Sequence, residues 1–169
     1  MARVTDVFVA PDGSAPMESV DRVEAIADGG LRGDRYCTGE GHYAPYDTCQ
    51  VTLVAAEAIA EIERETGIDL TDGRHRRNVV VEGIDVHELL DHRVRVGGAT
   101  LVGTRPRPPC AHVEDLADEA GVARALGDGR GGICADVVEG GPVAVGDTVT
   151  DLGSRDRTDA VVDRLRSEE

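Results

Sequence analysis

Cys110 is the residue of this sequence whose surroundings most favour sulfur or metal chemistry. It follows the proline-rich stretch at 105–109, and a helix is predicted behind it. The dipole of a helix that begins just after a thiol stabilises the thiolate; the two arginines of that stretch act in the same direction, whereas Glu114 and Asp115 oppose them. A thiolate is a soft metal ligand and a competent sulfur acceptor. The alternative is a buried structural cysteine, the commonest fate of a free thiol.

A second candidate is the basic cluster RHRRN at residues 74–78, where three arginines fall within four positions of a strongly acidic chain. The planar guanidinium groups match phosphate oxygens in pairs, and Asn78 adds a donor and an acceptor at the start of an apolar run. The pattern indicates either an anion site or a solvated turn whose arginines pair with neighbouring carboxylates.

Two glycine-rich loops could bring backbone close to a ligand. In GGLRGDR, at 29–35, successive amides could form an anion-binding nest, with Asp34 accepting from a heterocycle and Arg35 meeting a phosphate. RGGI, at 130–133, with Asp136 behind it, could supply amides and a carboxylate in the same way. Both loops are equally compatible with ordinary turns, so neither is specific by itself.

The composition favours one domain built from short strands. The 169 residues are 40% hydrophobic but only 2% aromatic, and Phe8 is the single phenylalanine. The core must therefore be built from valine, leucine, isoleucine and alanine, and valine suits a pleated, half-buried surface. The 21 glycines favour many tight turns.

Charge excludes two classes of function. The net charge is −15, from 33 acidic and 18 basic residues, and all of the basic ones are arginine. Such a surface is unsuited to nucleic acid, which needs a basic face. A chain without lysine cannot form the Schiff base that holds pyridoxal phosphate. The acidic surface is typical of a halophilic protein from a salt-rich cytoplasm, or else it is a face that binds a partner.

The cysteines and the chain start suggest a reducing compartment. Cys37, Cys49, Cys110 and Cys134 are widely spaced, with no CxxC pair, and the sequence carries no signal peptide or transmembrane run. We therefore expect a cytoplasmic protein that does not associate with membranes, with all four thiols free.

Apolar periodicity predicts a β-barrel decorated with two or three helices. A helix is expected over Ala55–Thr66, ended by Gly67, with a helical turn over Val86–Leu90 and short helices between Val113 and Leu126. Strands are expected over Val4–Ala10, Val20–Ala27, Gln50–Leu53, Asn78–Val81, Arg93–Val96, Ala99–Gly103, Ile133–Val138 and Val143–Val149.

Five ordered blocks between Val4 and Val149 resemble the MOSC domain, the C-terminal region of molybdenum cofactor sulfurases. They read PMESVDRVEAIADGGLRGDRY, QVTLVAAEAIAEI, RRNVVVEGIDVHELL, VRVGGATLVGTRPRPPC and GRGGICADVVEGGPVAVGDTV. The resemblance implies a mainly β fold, a barrel similar to the small domain of pyruvate kinase. The expected MOSC domain occupies residues 1–153, and residues 154–169 form a charged tail or short helix.

The resemblance also implies a cofactor and a site. A molybdenum cofactor of the molybdopterin type would meet Cys110, at the end of the PPC block, through its metal or its sulfur. The residues that the matching blocks carry over as cofactor-binding are Arg76, Arg77, Asn78, Gly33, Asp34, Arg35 and Asp136.

Three functions remain open for such a short, free-standing relative. It could reduce N-hydroxylated compounds at molybdenum with electrons from a separate electron-transfer protein. It could carry sulfur as a persulfide on Cys110, supplied by a separate pyridoxal phosphate desulfurase. It could also be a non-catalytic module that stores the cofactor. The sequence does not distinguish them, and it gives neither the substrate nor the oligomeric state.

Overall fold

The structure is a computed structural model that describes residues 2–10, 17–27, 29–34, 50–69, 77–106 and 131–154. These residues form one α-helix, α1 (Ala56–Thr66), one 3₁₀ helix (Val86–Leu89) and eleven strands. The strands are β1 (Arg3–Val9), β2 (Glu18–Val20), β3 (Arg22–Ile26), β4 (Gly30–Leu31), β5 (Val51–Ala55), β6 (Val79–Glu82), β7 (His92–Val96), β8 (Ala99–Pro106), β9 (Ile133–Glu139), β10 (Gly141–Ala144) and β11 (Val149–Ser154).

Eight strands form one mixed sheet in the order β11-β7-β8-β9-β5-β6-β1-β2, and β10, β3 and β4 form a second sheet. Only β5 and β6 are parallel among the paired strands described, and α1 supplies the crossover that parallel neighbours require. The predicted mainly β class is confirmed.

The expectation of a closed barrel was wrong for the strands that the structure describes, because the eight-stranded sheet is not closed by strand pairing between β11 and β2. Backbone hydrogen bonds nevertheless draw its ends together. The Val4 amide donates to the Asp147 carbonyl at 2.8 Å, and the Val149 amide donates to the Ala2 carbonyl at 3.0 Å. The sheet therefore curls until the start of β1 meets the start of β11, and β2 occupies the remainder of that edge of β1.

Side-chain alternation divides the core between the two faces of the sheet. On β5, Val51 and Leu53 enter the large valine-rich cluster, whereas Val54 joins a smaller cluster beneath α1. Helix α1 closes that smaller cluster with Ile59 and Ile62, the two side chains that it buries. Burial on both faces explains why the central strands are nearly continuous apolar runs.

Most of the predicted elements are confirmed within a residue or two. Gly67 ends α1 in the left-handed conformation, with its amide donating to the Glu63 carbonyl at 2.9 Å. The single strand predicted over Val143–Val149 was wrong, because a turn at Val145–Gly146 separates β10 from β11. The helices expected behind Cys110 and in the tail lie outside the described residues, so their number is not tested.

Gly132 is the residue that leads the chain into β9. Its φ is +82°, and a Cβ placed there would lie 2.0 Å from the Leu53 carbonyl oxygen on β5. Gly146 has a similar φ of +93°, yet a Cβ there would meet nothing within 4 Å. The two glycines therefore separate the cost of the backbone conformation from the cost of a backbone collision.

We predict that Gly132→Ala destabilises the protein far more than Gly146→Ala. Both variants force alanine into the left-handed region, which costs about 1–2 kcal/mol. Gly132→Ala must in addition push β9 away from β5, so its free energy of unfolding should fall by about 2 kcal/mol more. Urea unfolding followed by circular dichroism measures both values. Equal losses would contradict this packing.

Candidate functional site

The side chain of Asn78 acts as an extra peptide group between two strands. Its Oδ1 accepts from the backbone amide of Thr52 and from the Thr52 hydroxyl, each at 3.0 Å, while its Nδ2 donates to the Phe8 carbonyl at 3.1 Å. Its backbone amide donates to the Thr52 hydroxyl at 2.8 Å. Asn78 and Thr52 are both fully buried. The pair thus joins β5 and β1 at the position where β6 begins.

Arg77 precedes this junction and is buried as completely as a core residue, with 1% of its surface exposed. Its Nε donates to the Gly131 carbonyl at 2.6 Å, so the guanidinium group lies against the backbone that leads into β9. Among the residues that the structure describes, Arg77 is the only fully buried basic side chain. A guanidinium group in such a place requires anionic or strongly polar surroundings.

Asp34 connects the first glycine loop to the same end of β1. Its Oδ1 accepts from the Ala10 amide at 3.0 Å, and the side chain is fully buried. Phe8, the partner of Asn78, lies two residues before Ala10. The loop at 29–34 and the described end of the basic cluster, Arg77 and Asn78, therefore meet at the C-terminal end of β1. Gly33 is exposed there, with φ at +84° and open space around its α-carbon.

β9 contributes the next side chains along this edge of the sheet. Cys134 pairs with Thr52 of β5 on one side and with Arg105 of β8 on the other. Because Ile133 and Ala135 enter the large core, Cys134 and Asp136 belong to the opposite face of β9. Cys134 is fully buried and disulfide-bonded. The expectation that all four thiols are free was therefore wrong for Cys134.

The described part of the predicted site is thus a connected row at one end of the sheet. It runs from Asp34 through Asn78 to Thr52 and on to Cys134, with Arg77 beside it. Arg76, Arg35 and Cys110 lie outside the described residues, and the contacts predicted for them stay predictions. The sequence did not indicate that Thr52 belongs to this row, although it is the one polar side chain of the apolar strand β5.

A hollow of about 550 Å³ lies where β5 runs into α1, and its lining includes Gly132, which follows the Gly131 that accepts from Arg77. Three acidic residues line it, Glu57, Glu61 and Asp85, and so does His87. Two of these carboxylates bind backbone amides: Glu57 accepts from Gly83 at 3.1 Å and Asp85 accepts from His87 at 3.0 Å. This lining disfavours an anionic ligand. Across the described ranges, no three histidine, cysteine or acidic side chains gather as a metal site.

Solved structures of the same fold define the class of this domain. The YuaD protein from Bacillus subtilis is similar over 88% of this chain and 94% of its own, with 22% identity and a TM-score of 0.72. YiiM from Geobacillus stearothermophilus matches over 90% of this chain and 76% of its own, with 15% identity and a TM-score of 0.70. YiiM from Escherichia coli matches over 90% and 70%, with 19% identity and a TM-score of 0.67. The chain is thus a small, mainly β domain of a shared fold.

The family model of the MOSC domain matches residues 38–150, well over half of the chain. The chain therefore belongs to the MOSC domain family, as its sequence blocks predicted. No curated protein matches it. Among the described segments, no helix is both long and apolar enough to span a bilayer.

We predict that Asn78→Ala lowers the free energy of unfolding by about 3 kcal/mol, because it leaves a buried amide, a hydroxyl and a carbonyl without their partner. Thr5→Ala is the control. It removes one half-buried hydroxyl whose Oγ1 donates to Val80 at 3.3 Å, so its effect should stay below about 1 kcal/mol. Thermal and urea unfolding measure both variants. If Asn78→Ala were as stable as Thr5→Ala, the hydrogen bonds of Asn78 would not stabilise the junction between β5 and β1.

Proposed function

We propose that this chain binds a molybdenum cofactor of the molybdopterin type and presents Cys110 to its metal or its sulfur. Membership of the MOSC family supports the cofactor class. The proposed position of the cofactor rests on the buried guanidinium group of Arg77. The cofactor's phosphate is an anion, and arginine binds such an anion through paired hydrogen bonds.

The residues of the row fit such a ligand in two different ways. Arg77 has the charge and the donors for a phosphate, and its Nε bond to Gly131 fixes the plane of the guanidinium group. Asn78 and Asp34 bind the backbone of β1 instead, so we assign them the positioning of Arg77 and of the first glycine loop. Gly33, Arg35, Arg76 and Asp136 are proposed to line the same site.

The charge of the whole chain makes this placement selective. A protein of net charge −15 repels anions over most of its surface, and the acidic hollow beside α1 does so locally. Arg77, the fully buried arginine among the residues that the structure describes, then defines where a phosphate is stable. Because that charge is held away from water, its interaction with a phosphate is screened much less than that of a surface ion pair.

Molybdenum would supply two-electron redox chemistry or a place to receive sulfur when the cofactor is bound. Cys110 would serve as its thiolate ligand or as the donor of a sulfur atom. We propose reduction of N-hydroxylated compounds or sulfur transfer as the reaction, with electrons or sulfur from a separate protein. A storage module without catalysis is the alternative, and it requires the same cofactor contacts.

We predict that protein produced in a molybdenum-replete host carries molybdenum, and that Cys110→Ser and Arg77→Gln reduce it by about tenfold or more. Arg95→Gln is the matched control, because it removes the same charge from an exposed side chain that bonds Thr100 at 3.2 Å. Plasma mass spectrometry gives the metal content, and circular dichroism shows whether each variant folds. Arg77→Lys is the second variant if Arg77→Gln does not fold.

The outcomes separate the three functions. Molybdenum with turnover of an N-hydroxylated compound supports the reductase. A persulfide on Cys110 after incubation with a desulfurase and cysteine, without any need for molybdenum, supports the sulfur carrier. Bound cofactor with neither reaction supports storage. Molybdenum-free protein from a replete host, with no cofactor bound on reconstitution, would contradict the proposal.

A further inference from the structure

The hydroxyl group of Thr52 makes two hydrogen bonds with Asn78, and the direction of each is determined. Its Oγ1 lies 3.0 Å from the Asn78 Oδ1 and 2.8 Å from the Asn78 backbone nitrogen. The Thr52 amide, which can only donate, also bonds Oδ1 at 3.0 Å, so that atom is an acceptor. The single hydroxyl proton therefore goes to Oδ1, and a lone pair of Oγ1 accepts from the Asn78 amide.

These side-chain bonds stand where a parallel ladder would otherwise join two main chains. The pairing of β5 with β6 begins at Leu53 and Val79, one residue after Thr52 and Asn78. At the preceding step, each backbone amide bonds the side-chain oxygen of the other residue. Both residues are fully buried, so water cannot replace a lost acceptor. A valine would fill the space of Thr52 but would leave the Asn78 amide without its acceptor.

The Asn78 amide belongs to the peptide group that joins this residue to Arg77. Because a peptide group is planar, a bond that fixes its N–H also fixes the direction of the Arg77 carbonyl. The backbone from which the Arg77 side chain departs is therefore oriented by the Thr52 hydroxyl. At the other end of that side chain, the Nε donates to the Gly131 carbonyl at 2.6 Å.

We propose that Thr52 is a positioning residue for Arg77, and that its hydroxyl sets the place of the buried guanidinium group through the Asn78 amide. The strand order supports this role. β5 pairs with β9, and Gly131 leads into β9, so neighbouring strands hold the two ends of the Arg77 side chain. The inference rests on the proposed function only for the identity of the ligand, a phosphate.

The position of the guanidinium group decides how well it binds a phosphate. Paired hydrogen bonds form only when two N–H groups point at two oxygens at once. Groups that orient a ligand-binding side chain typically account for about ten- to a hundredfold in affinity. We therefore expect the Kd for inorganic phosphate to rise about tenfold or more in Thr52→Val, and to change little in Thr52→Ser, which keeps the hydroxyl.

Hydrogen exchange of the Arg77 Nε–H, followed by nitrogen-15 NMR of the ligand-free protein, tests the positioning directly. Its rate is expressed relative to the slowest backbone amides, so that a change in global stability cancels. Thr52→Val should raise this ratio at least about tenfold, whereas Thr52→Ser should resemble the wild type. Ile62→Val is the control, because it alters the core beneath α1 and should leave the ratio unchanged. Thr52→Ala is the second variant if Thr52→Val does not fold.

The outcomes keep this inference apart from the proposed function. An Nε–H as protected in Thr52→Val as in the wild type overturns the positioning role, and so does an equal loss of protection in Thr52→Ser. Titration calorimetry with inorganic phosphate, at constant ionic strength, supplies the second readout. Binding that weakens in Thr52→Val and in Arg77→Gln, but not in Thr52→Ser, supports both proposals. Loss of Nε–H protection in Thr52→Val, without phosphate binding by the wild type, upholds the role of Thr52 and contradicts the proposed function.

Discussion

The buried amide of Asn78 is the constraint on which this end of the molecule depends. Three separate segments meet there, because one side chain bonds both Thr52 on β5 and Phe8 on β1. Such a group, cut off from water, is stable only if its donors and acceptors are satisfied. The parallel strands β5 and β6, joined through α1, are therefore held in one register at their N-terminal ends, where a crossover alone would leave them loose.

This junction also explains how an arginine comes to be buried in an acidic protein. Arg77 directly precedes Asn78, so the fixed position of one residue fixes the backbone of the other. The Gly131 carbonyl then holds the Nε of the guanidinium group, and Gly132 permits that carbonyl to approach because a side chain there would strike β5. Backbone geometry thus fixes the position of this positive charge.

The sequence predicted much of this, and the failures have physical causes. Strands with clear apolar runs, and α1 with its Gly67 stop, were placed correctly because local periodicity and capping determine them. The break between β10 and β11 was missed because Val143, Val145 and Val149 fall on alternate positions, whereas the turn at Val145–Gly146 and the Asp147 that follows it interrupt the pattern. The ordered blocks predict Arg77 and Asn78 as site residues, and that stays a prediction; a pattern cannot say that Asn78 bonds β1 and β5.

Two features were beyond sequence reasoning for a different reason. The role of Thr52 follows from its pairing with Asn78, which lies 26 residues away, and only the fold brings them together. The disulfide at Cys134 was missed because widely spaced cysteines without a CxxC pair give no indication of which of them are bonded.

The most direct test of the central claim is a crystal structure of molybdenum-loaded protein with data collected at the molybdenum absorption edge. The anomalous difference map should show one peak within bonding distance of the Cys110 sulfur, with cofactor phosphate density against the guanidinium group of Arg77. A peak in the acidic hollow beside α1, or a phosphate far from Arg77, would contradict the account.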